Sequence, residues 1–142
     1  MRSATRFAIA VHILALIGIE QGQDLSSEAM AQSIGVNPVV VRNITALLRQ
    51  AGLVHTQQGV VGAHLTRPAQ AISLCEIYHA VEHQNDIFTI HANPNNDCNV
   101  GAHIQCTLGS IFHEAQQALE AKLAQTSLEQ VIQRIYQHQH PS

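Results

Sequence analysis

Charged side chains are scarce in this chain. Only 12% of its 142 residues are charged, whereas 46% are apolar. This composition excludes an intrinsically disordered chain, because disorder requires few apolar and many charged residues. The length suits one compact domain with an added oligomerisation element. Such a weakly charged chain also suggests that part of its apolar surface is covered in an oligomer.

Cysteines and long apolar runs are limited as well. The three cysteines, an odd number without tight pairing, exclude a disulfide framework. The longest apolar run, 7–19, contains His12, is too short to span a bilayer and precedes no small-residue cleavage site. We interpret it as a buried helix. We therefore expect a cytoplasmic protein without a membrane segment, whose thiols are reduced.

The few charges are unevenly distributed along the chain. Residues 1–67 contain five arginines and three acidic residues and have a net charge of +2, whereas residues 68–142 have a net charge of −5. A basic half joined to an acidic half favours a nucleic-acid-binding module with a separate partner-binding part. The excess of two charges is small, so the local pattern has to carry the argument.

The N-terminal half has the pattern of a helix-turn-helix. After the first helix comes a short second helix, which Ser26 caps and Gly35 ends. Asn37 and Pro38 then supply an N-cap and a proline at the first position of a third helix, which runs to about Gln50. Two short helices joined by a glycine-containing turn are typical of a helix-turn-helix.

Branched residues after the third helix predict a wing. The segments 53–56 and 60–66 are short and flank a turn at 57–59. Two such segments with a glycine-containing turn between them are typical of a β-hairpin. The hairpin follows the third helix directly, as a wing does.

The remainder of the chain predicts further helices and one long loop. A helix that includes Ile72 follows Pro68, and residues 84–104, which have no period, form the loop. An apolar stripe then predicts a helix at 107–125, and the capping box Thr126-Ser127-Leu128-Glu129 opens the last helix. The stripe includes Leu108, Ile111, Phe112, Ala115, Leu119 and Leu123.

Residues within these elements resemble one family. The segments 37–44 and 48–54, the wing and the next helix are similar to the BadM/Rrf-type winged helix-turn-helix transcriptional regulators, the family of IscR, NsrR and CymR. The resemblance covers nearly the whole chain. It implies a mainly α fold with a small β-hairpin, and a long C-terminal helix that forms a homodimer through the apolar stripe. Many members carry an arginine at the wing tip, where this chain has Gln58 before Gly59, and this departure bears on the wing's DNA contact, not on the fold.

We expect the chain to be a repressor that binds double-stranded DNA. We expect a winged helix-turn-helix domain at 1–83, a sensor loop at 84–106, and the dimerisation and C-terminal helices at 107–142. In the third helix, Asn43 suits adenine, and Arg42 suits guanine or phosphate. Val39 or Val40 suits a thymine methyl group. The predicted DNA-binding residues are Ser26, Ser27, Asn37, Pro38, Val39, Val40, Arg42, Asn43, Arg49, Gln58 and Gly59.

The loop cysteines are candidates for a sensor. Cys98 and Cys106 lie in or beside the loop together with His103. The resemblance implies three cysteines here in cluster-binding relatives, so the ligand set for an iron–sulfur cluster is incomplete. A redox switch by oxidation of Cys98, as a disulfide to Cys106 or across the dimer, is one reading. A metal or cluster site and no role at all are the others, and Cys75 is assigned to the core.

Two rival functions remain open. The segment 79–83 has the H-x-x-E-H pattern of some zinc proteases. It lies in a helix that the resemblance already accounts for, so we expect no enzymatic activity. The other rival is a winged-helix module that binds protein instead of DNA.

Overall fold

The computed structural model describes residues 3–20, 25–60, 62–82, 95 and 97–140. They form α1 (Ser3–Ile19), α2 (Ser27–Ile34), α3 (Pro38–Gln50), β1 (Val54–His55), β2 (His64–Leu65), a 3₁₀ turn (Ala69–Ala71), α4 (Leu74–Val81), α5 (Asn99–Ala124) and α6 (Leu128–Gln139). The predicted class, mainly helical with a small hairpin, is confirmed. Among the described residues, no helix combines the length and the apolar character needed to cross a membrane.

The helix-turn-helix begins and ends where its capping residues place it. The Ser26 hydroxyl accepts a hydrogen bond from the Ala29 amide at 3.1 Å and starts α2. Gly35 ends α2 with φ at 83°, a left-handed conformation that a residue without Cβ adopts readily. The Asn37 side chain accepts a hydrogen bond from the Val39 amide at 2.9 Å and starts α3. These predicted boundaries are confirmed.

Helix α1 lies at the centre of the core. It packs against α2, α3, α4 and α6, and Ile13 and Leu14 are fully buried. Leu48 of α3, Ile77 of α4 and Leu128 of α6 are fully buried in the same cluster. The apolar run at the N-terminus is therefore a buried helix, as its composition predicted.

The wing is a short antiparallel hairpin. Each strand has two residues, with Val54 opposite Leu65 and His55 opposite His64. The strands are shorter than the predicted segments at 53–56 and 60–66. The Val60 amide donates a hydrogen bond to the Gln57 carbonyl at 3.1 Å and closes the tip turn.

Two element boundaries after the wing differ from the prediction. Ile72 is extended, not helical, because its carbonyl accepts a hydrogen bond from the Leu128 amide at 2.8 Å. The Leu74 amide donates to the Thr126 carbonyl at 2.9 Å, so residues 126–127 are held in a bridge to residues 72–74. Helix α6 therefore starts one residue later than predicted, with a capping box formed by Ser127 and Gln130 in place of Thr126 and Glu129.

The chain divides into two compact units. The first comprises Met1–His83 and Leu123–Ser142, and the second comprises Gln84–Lys122. Helix α6 packs on α1 within the first unit, although the sequence grouped it with the dimerisation helix. Helix α5 begins at Asn99, so residues 99–106 of the predicted sensor loop are helical. Residues 84–94 and 96 of that loop lie outside the described residues.

Candidate nucleic-acid interface and sensor segment

An open groove of about 470 Å³ lies between α2, α3 and the wing. Four of the predicted DNA-binding residues line it: Ser26 and Ser27 at the start of α2, and Arg42 and Arg49 on α3. The amides of a helix N-terminus favour a phosphate, and the two guanidinium groups supply positive charge. The fold thus brings together residues that are up to 23 positions apart in the sequence.

The N-terminal half of α3 is exposed outside this groove. Val39 is 52% exposed, and Asn43 is also exposed. An exposed valine on a helix of this kind is available to a thymine methyl group. Val40, in contrast, is half-buried and packs against the core, so its side chain is less accessible to DNA than that of Val39.

Some predicted contacts already have a role in the fold. The Asn37 side chain caps α3, and the Ser26 hydroxyl caps α2. Pro38 is half-buried at the first position of α3. A serine hydroxyl that accepts one hydrogen bond can still donate another to a phosphate. Gln58 and Gly59 are exposed at the wing tip, where Gly59 has φ of 80°.

Arg42 is paired with an acidic residue that the sequence analysis did not include. Its Nη2 atom lies 2.8 Å from Oε1 of Glu28, and both side chains are more than half exposed. A hydrogen bond from the Glu28 backbone amide, and then the Arg42 guanidinium, hold the pKa of the Glu28 carboxyl below its usual range. To bind DNA, Arg42 has to exchange this carboxylate for a phosphate or a base.

The groove also contains two threonines that sequence reasoning missed, Thr45 and Thr56. The Oγ1 atom of Thr45 is shielded from solvent and has no hydrogen-bond partner within the described chain. Arg42, Thr45 and Arg49 are spaced by three and four residues and therefore share one face of α3. This spacing was the signal that would have identified Thr45, whereas Glu28 and Thr56 join the groove only through the tertiary fold.

The base of the wing is fixed to α4. Arg67 donates hydrogen bonds to the Ala71 carbonyl at 3.0 Å and to the Glu76 carboxylate at 2.8 Å. The Ser73 backbone amide and then the Arg67 guanidinium hold the pKa of the Glu76 carboxyl below its usual range. On the other side, the Thr66 hydroxyl donates to the Gly52 carbonyl at 2.6 Å. These bonds hold the wing base next to α3.

Cys98 lies immediately before the first turn of α5. The backbone amides of Gly101 and Val100 donate hydrogen bonds to its sulfur and hold the pKa of the exposed Cys98 thiol below its usual range. Any Cβ at Gly101 would clash with the backbone oxygen of Asn95, so glycine permits this close turn. Helix N-termini are a known setting for reactive thiolates.

The two predicted sensor cysteines are far apart, because Cys98 precedes α5 and Cys106 lies within it. Cys106 and His103 are both exposed on α5, one turn apart. Eight residues of α-helix separate Cys98 from Cys106 by about 12 Å along the axis. A disulfide requires Cα atoms within roughly 7 Å of one another. A bond between Cys98 and Cys106 of one chain is therefore incompatible with an intact α5, which corrects that part of the prediction.

The predicted dimer stripe lies entirely on α5. None of its residues is fully buried, and Ile111 is 52% exposed. Along the 26 residues of α5, Gln116 alone is buried among the described residues. The stripe is thus open to a further apolar surface.

A helix-turn-helix with an exposed, arginine-bearing second helix, followed by a wing, defines a winged-helix DNA-binding protein. The chain belongs to the Rrf2 family, described as iron-dependent transcriptional regulators, whose family profile matches residues 3–134. This agrees with the resemblance that the sequence shows.

Individual relatives agree with this assignment. The chain is 42% identical over 132 residues to YwnA of Bacillus subtilis (strain 168), named as an HTH-type transcriptional regulator, with 93% of this chain and 98% of YwnA covered. It is 40% identical to a crystallised protein described as DNA-binding, with a TM-score of 0.75 and coverage of 89% and 98%. The oxidized form of Staphylococcus aureus CymR, at 19% identity, shares the fold with a TM-score of 0.68 over 93% and 96% of the two chains.

The protein is therefore a DNA-binding transcriptional regulator and not an enzyme. The zinc-protease pattern has no such role here. His79 is exposed on α4, Glu82 is buried at the end of that helix, and His83 lies outside the described residues.

The family description raises the question of an iron site. An iron–sulfur cluster needs about four ligands, mostly thiolates, around one small core. Cys98 and Cys106 cannot reach one such core while α5 is helical, because roughly 12 Å of helix separates them. His103 lies beside Cys106 only. The donors on α5 therefore do not fit a cluster.

Proposed function

We propose that this regulator is a homodimeric repressor that reads the major groove with the N-terminal half of α3. The observation that carries the proposal is that α3 presents two separate sets of side chains. Val39 and Asn43 are exposed beside the groove. Arg42 and Arg49 line the groove itself. Base contacts give specificity, and phosphate contacts give register and affinity. We place this regulator in the cytoplasm, as the sequence predicts.

The proposed base contacts are made by two side chains. Asn43 can pair with adenine through two hydrogen bonds, and Val39 can contact a thymine methyl group. Val40 is withdrawn from this role, because it packs on the core. Ser26 and Ser27 hold a phosphate at the α2 N-terminus, and Gln58 and Gly59 place the wing tip near the minor groove.

Replacement of Asn43 by alanine tests the base contact. A good two-bond pair contributes about 1–3 kcal/mol of discrimination, so N43A should bind its operator roughly 5- to 150-fold more weakly. Affinity for a shuffled duplex should not change. Fluorescence anisotropy with DNA flanking the protein's own gene measures both. The matched control is Q50A, which removes another exposed amide at the opposite end of α3. An equal loss of affinity for both duplexes in N43A would contradict base recognition.

The proposed dimer forms through the apolar stripe of α5. Exposed apolar stripes of this kind need a partner, and a two-fold symmetric partner presents the same stripe. A dimer also matches the way helix-turn-helix proteins bind, because the two DNA half-sites lie one helical turn, ~34 Å, apart. A bound dimer then competes with the transcription machinery, as a repressor does.

The proposed sensor is the Cys98 thiolate. A peroxide can oxidise it to a sulfenic acid, and attack by a second thiol then releases water and forms a disulfide. Cys106 of the same chain is excluded by the helix between them, which leaves a thiol of the second subunit or a small thiol. A covalent change at the start of α5 can shift the two winged helix-turn-helix domains of the dimer and weaken operator binding.

A further inference from the structure

Two histidines face each other on the wing and have no role in the function proposed above. His55 of β1 and His64 of β2 are directly opposite in the antiparallel register, and their ring centroids are 5.6 Å apart with planes tilted by 34°. Val54 and Leu65, the neighbouring pair, turn toward the core, so the histidines project from the opposite face. His55 is exposed and His64 is half-buried. We call them the wing histidine pair.

We propose that the wing histidine pair binds a divalent transition-metal cation, with Zn²⁺ as its simplest representative. Zn–N bonds of about 2.0–2.1 Å place the centroids of two imidazoles on one tetrahedral ion roughly 5–5.5 Å apart. The observed centroid separation of 5.6 Å is close to this value. Neutral imidazole suits Zn²⁺, Cu²⁺ and Ni²⁺, whereas Mg²⁺ and Ca²⁺ prefer oxygen ligands.

The surroundings determine what kind of site this is. Two protein ligands leave two tetrahedral positions for water or another donor, so the site is open and the ion can exchange. The ion also joins two strands that have only two residues each. Binding should therefore hold β1 and β2 together and restrict the wing, whose base is fixed next to α3. The site thus couples a metal ion to the order of the wing.

Imidazole nitrogen resonances of the reduced, full-length protein test the proposal directly. Zinc chloride is titrated at a pH of about 7.5, where an ordinary imidazole is neutral. We expect the ring nitrogens of His55 and His64 to shift together, with the same half-saturation. In H55Q, the zinc affinity measured at His64 should be about tenfold or more lower, and in H64Q the affinity measured at His55 should fall likewise. Even the outer partners of a metal ligand contribute 10- to 100-fold to metal affinity. The control, H113Q, removes an exposed histidine of α5 and should leave both responses unchanged.

Amide hydrogen exchange supplies a second readout on the same samples. Zinc should slow exchange at the β1–β2 hydrogen bonds in the wild type and in H113Q, but not in H55Q or H64Q. Rings that do not shift would overturn the proposal, as would single variants that leave the other histidine's affinity intact. Exchange in the wing that stays unchanged at saturating zinc would overturn the cross-link. Both readouts use the free protein, so they do not depend on finding the operator.

Discussion

Arg49 offers the sharpest test of how the groove binds DNA. It is exposed in the last turn of α3, lines the groove, and forms no ion pair within the described chain. If Arg49 contacts one phosphate, R49A should make the negative slope of the logarithm of the binding constant against the logarithm of the salt concentration shallower by about 0.9. Between about 50 and 200 mM salt, the wild type should then lose roughly 3.5-fold more affinity than R49A loses. The loss should be uniform across sequences, because phosphates carry no sequence information.

Arg42 should behave differently, because Glu28 already pairs with it at 2.8 Å. R42A removes the guanidinium and leaves an unpaired carboxylate in the groove, so its affinity should fall further than that of R49A. E28Q removes that negative charge and frees Arg42, so it should bind more tightly than the wild type.

Fluorescence anisotropy over the same salt range gives the slopes. The matched control is R134A, an exposed arginine of α6 outside the groove. A wild-type slope retained in R49A, or lowered equally in R134A, would refute the groove as the phosphate site.

Four further measurements test other parts of the account. L119E should give monomers or aggregates and abolish operator binding, because it places a charge in the apolar stripe; a well-folded monomeric wild type in light scattering would rule the dimer out. C98S should abolish the reversible loss of operator affinity caused by mild oxidant, whereas C75S should retain it; a full response in C98S means that another group is the sensor. The rate at which iodoacetamide alkylates Cys98 should reach half its maximum at a lower pH than that of free cysteine, because a lowered pKa keeps the thiolate present at lower pH; equal midpoints would contradict the amide hydrogen bonds. L48A should reduce the free energy of unfolding by about 2–5 kcal/mol in urea, since Leu48 is fully buried; a loss well below 1 kcal/mol would contradict its place in the core.

The helix-turn-helix could be predicted because its determinants are local. Ser26, Gly35 and Asn37 act within three or four residues of themselves, through a side-chain cap, a left-handed turn and a second cap. The apolar spacing of α3 likewise depends only on the helical period. Neighbouring residues are enough to define these features.

The features that escaped prediction depend on distant parts of the chain. Ile72 is extended because Leu128, 56 residues later, donates a hydrogen bond to its carbonyl. Glu28 reaches the interface only when α2 packs on α3 and places it beside Arg42. Val40 looks equivalent to Val39 in the sequence, and only the packing of α3 on the core distinguishes them.

The start of α5 was misplaced for a different reason. Polar residues at 97–106 break the apolar period, so the sequence resembles a loop up to Cys106, although the chain is helical from Asn99. The turn before α5 is closely packed against Gly101, a feature that an apolar period does not report. This error mattered for function, because it made a bond between Cys98 and Cys106 look feasible.

The most direct test of the central claim is the ratio of two dissociation constants of the wild-type protein at a physiological salt concentration. One is measured with the DNA flanking its own gene, and the other with a shuffled duplex of equal length. A sequence-specific regulator should bind the first at least about 10³-fold more tightly, with an affinity that falls as salt rises. Equal binding to both duplexes, or no complex at any salt concentration, would contradict the account and favour a winged-helix module that binds protein.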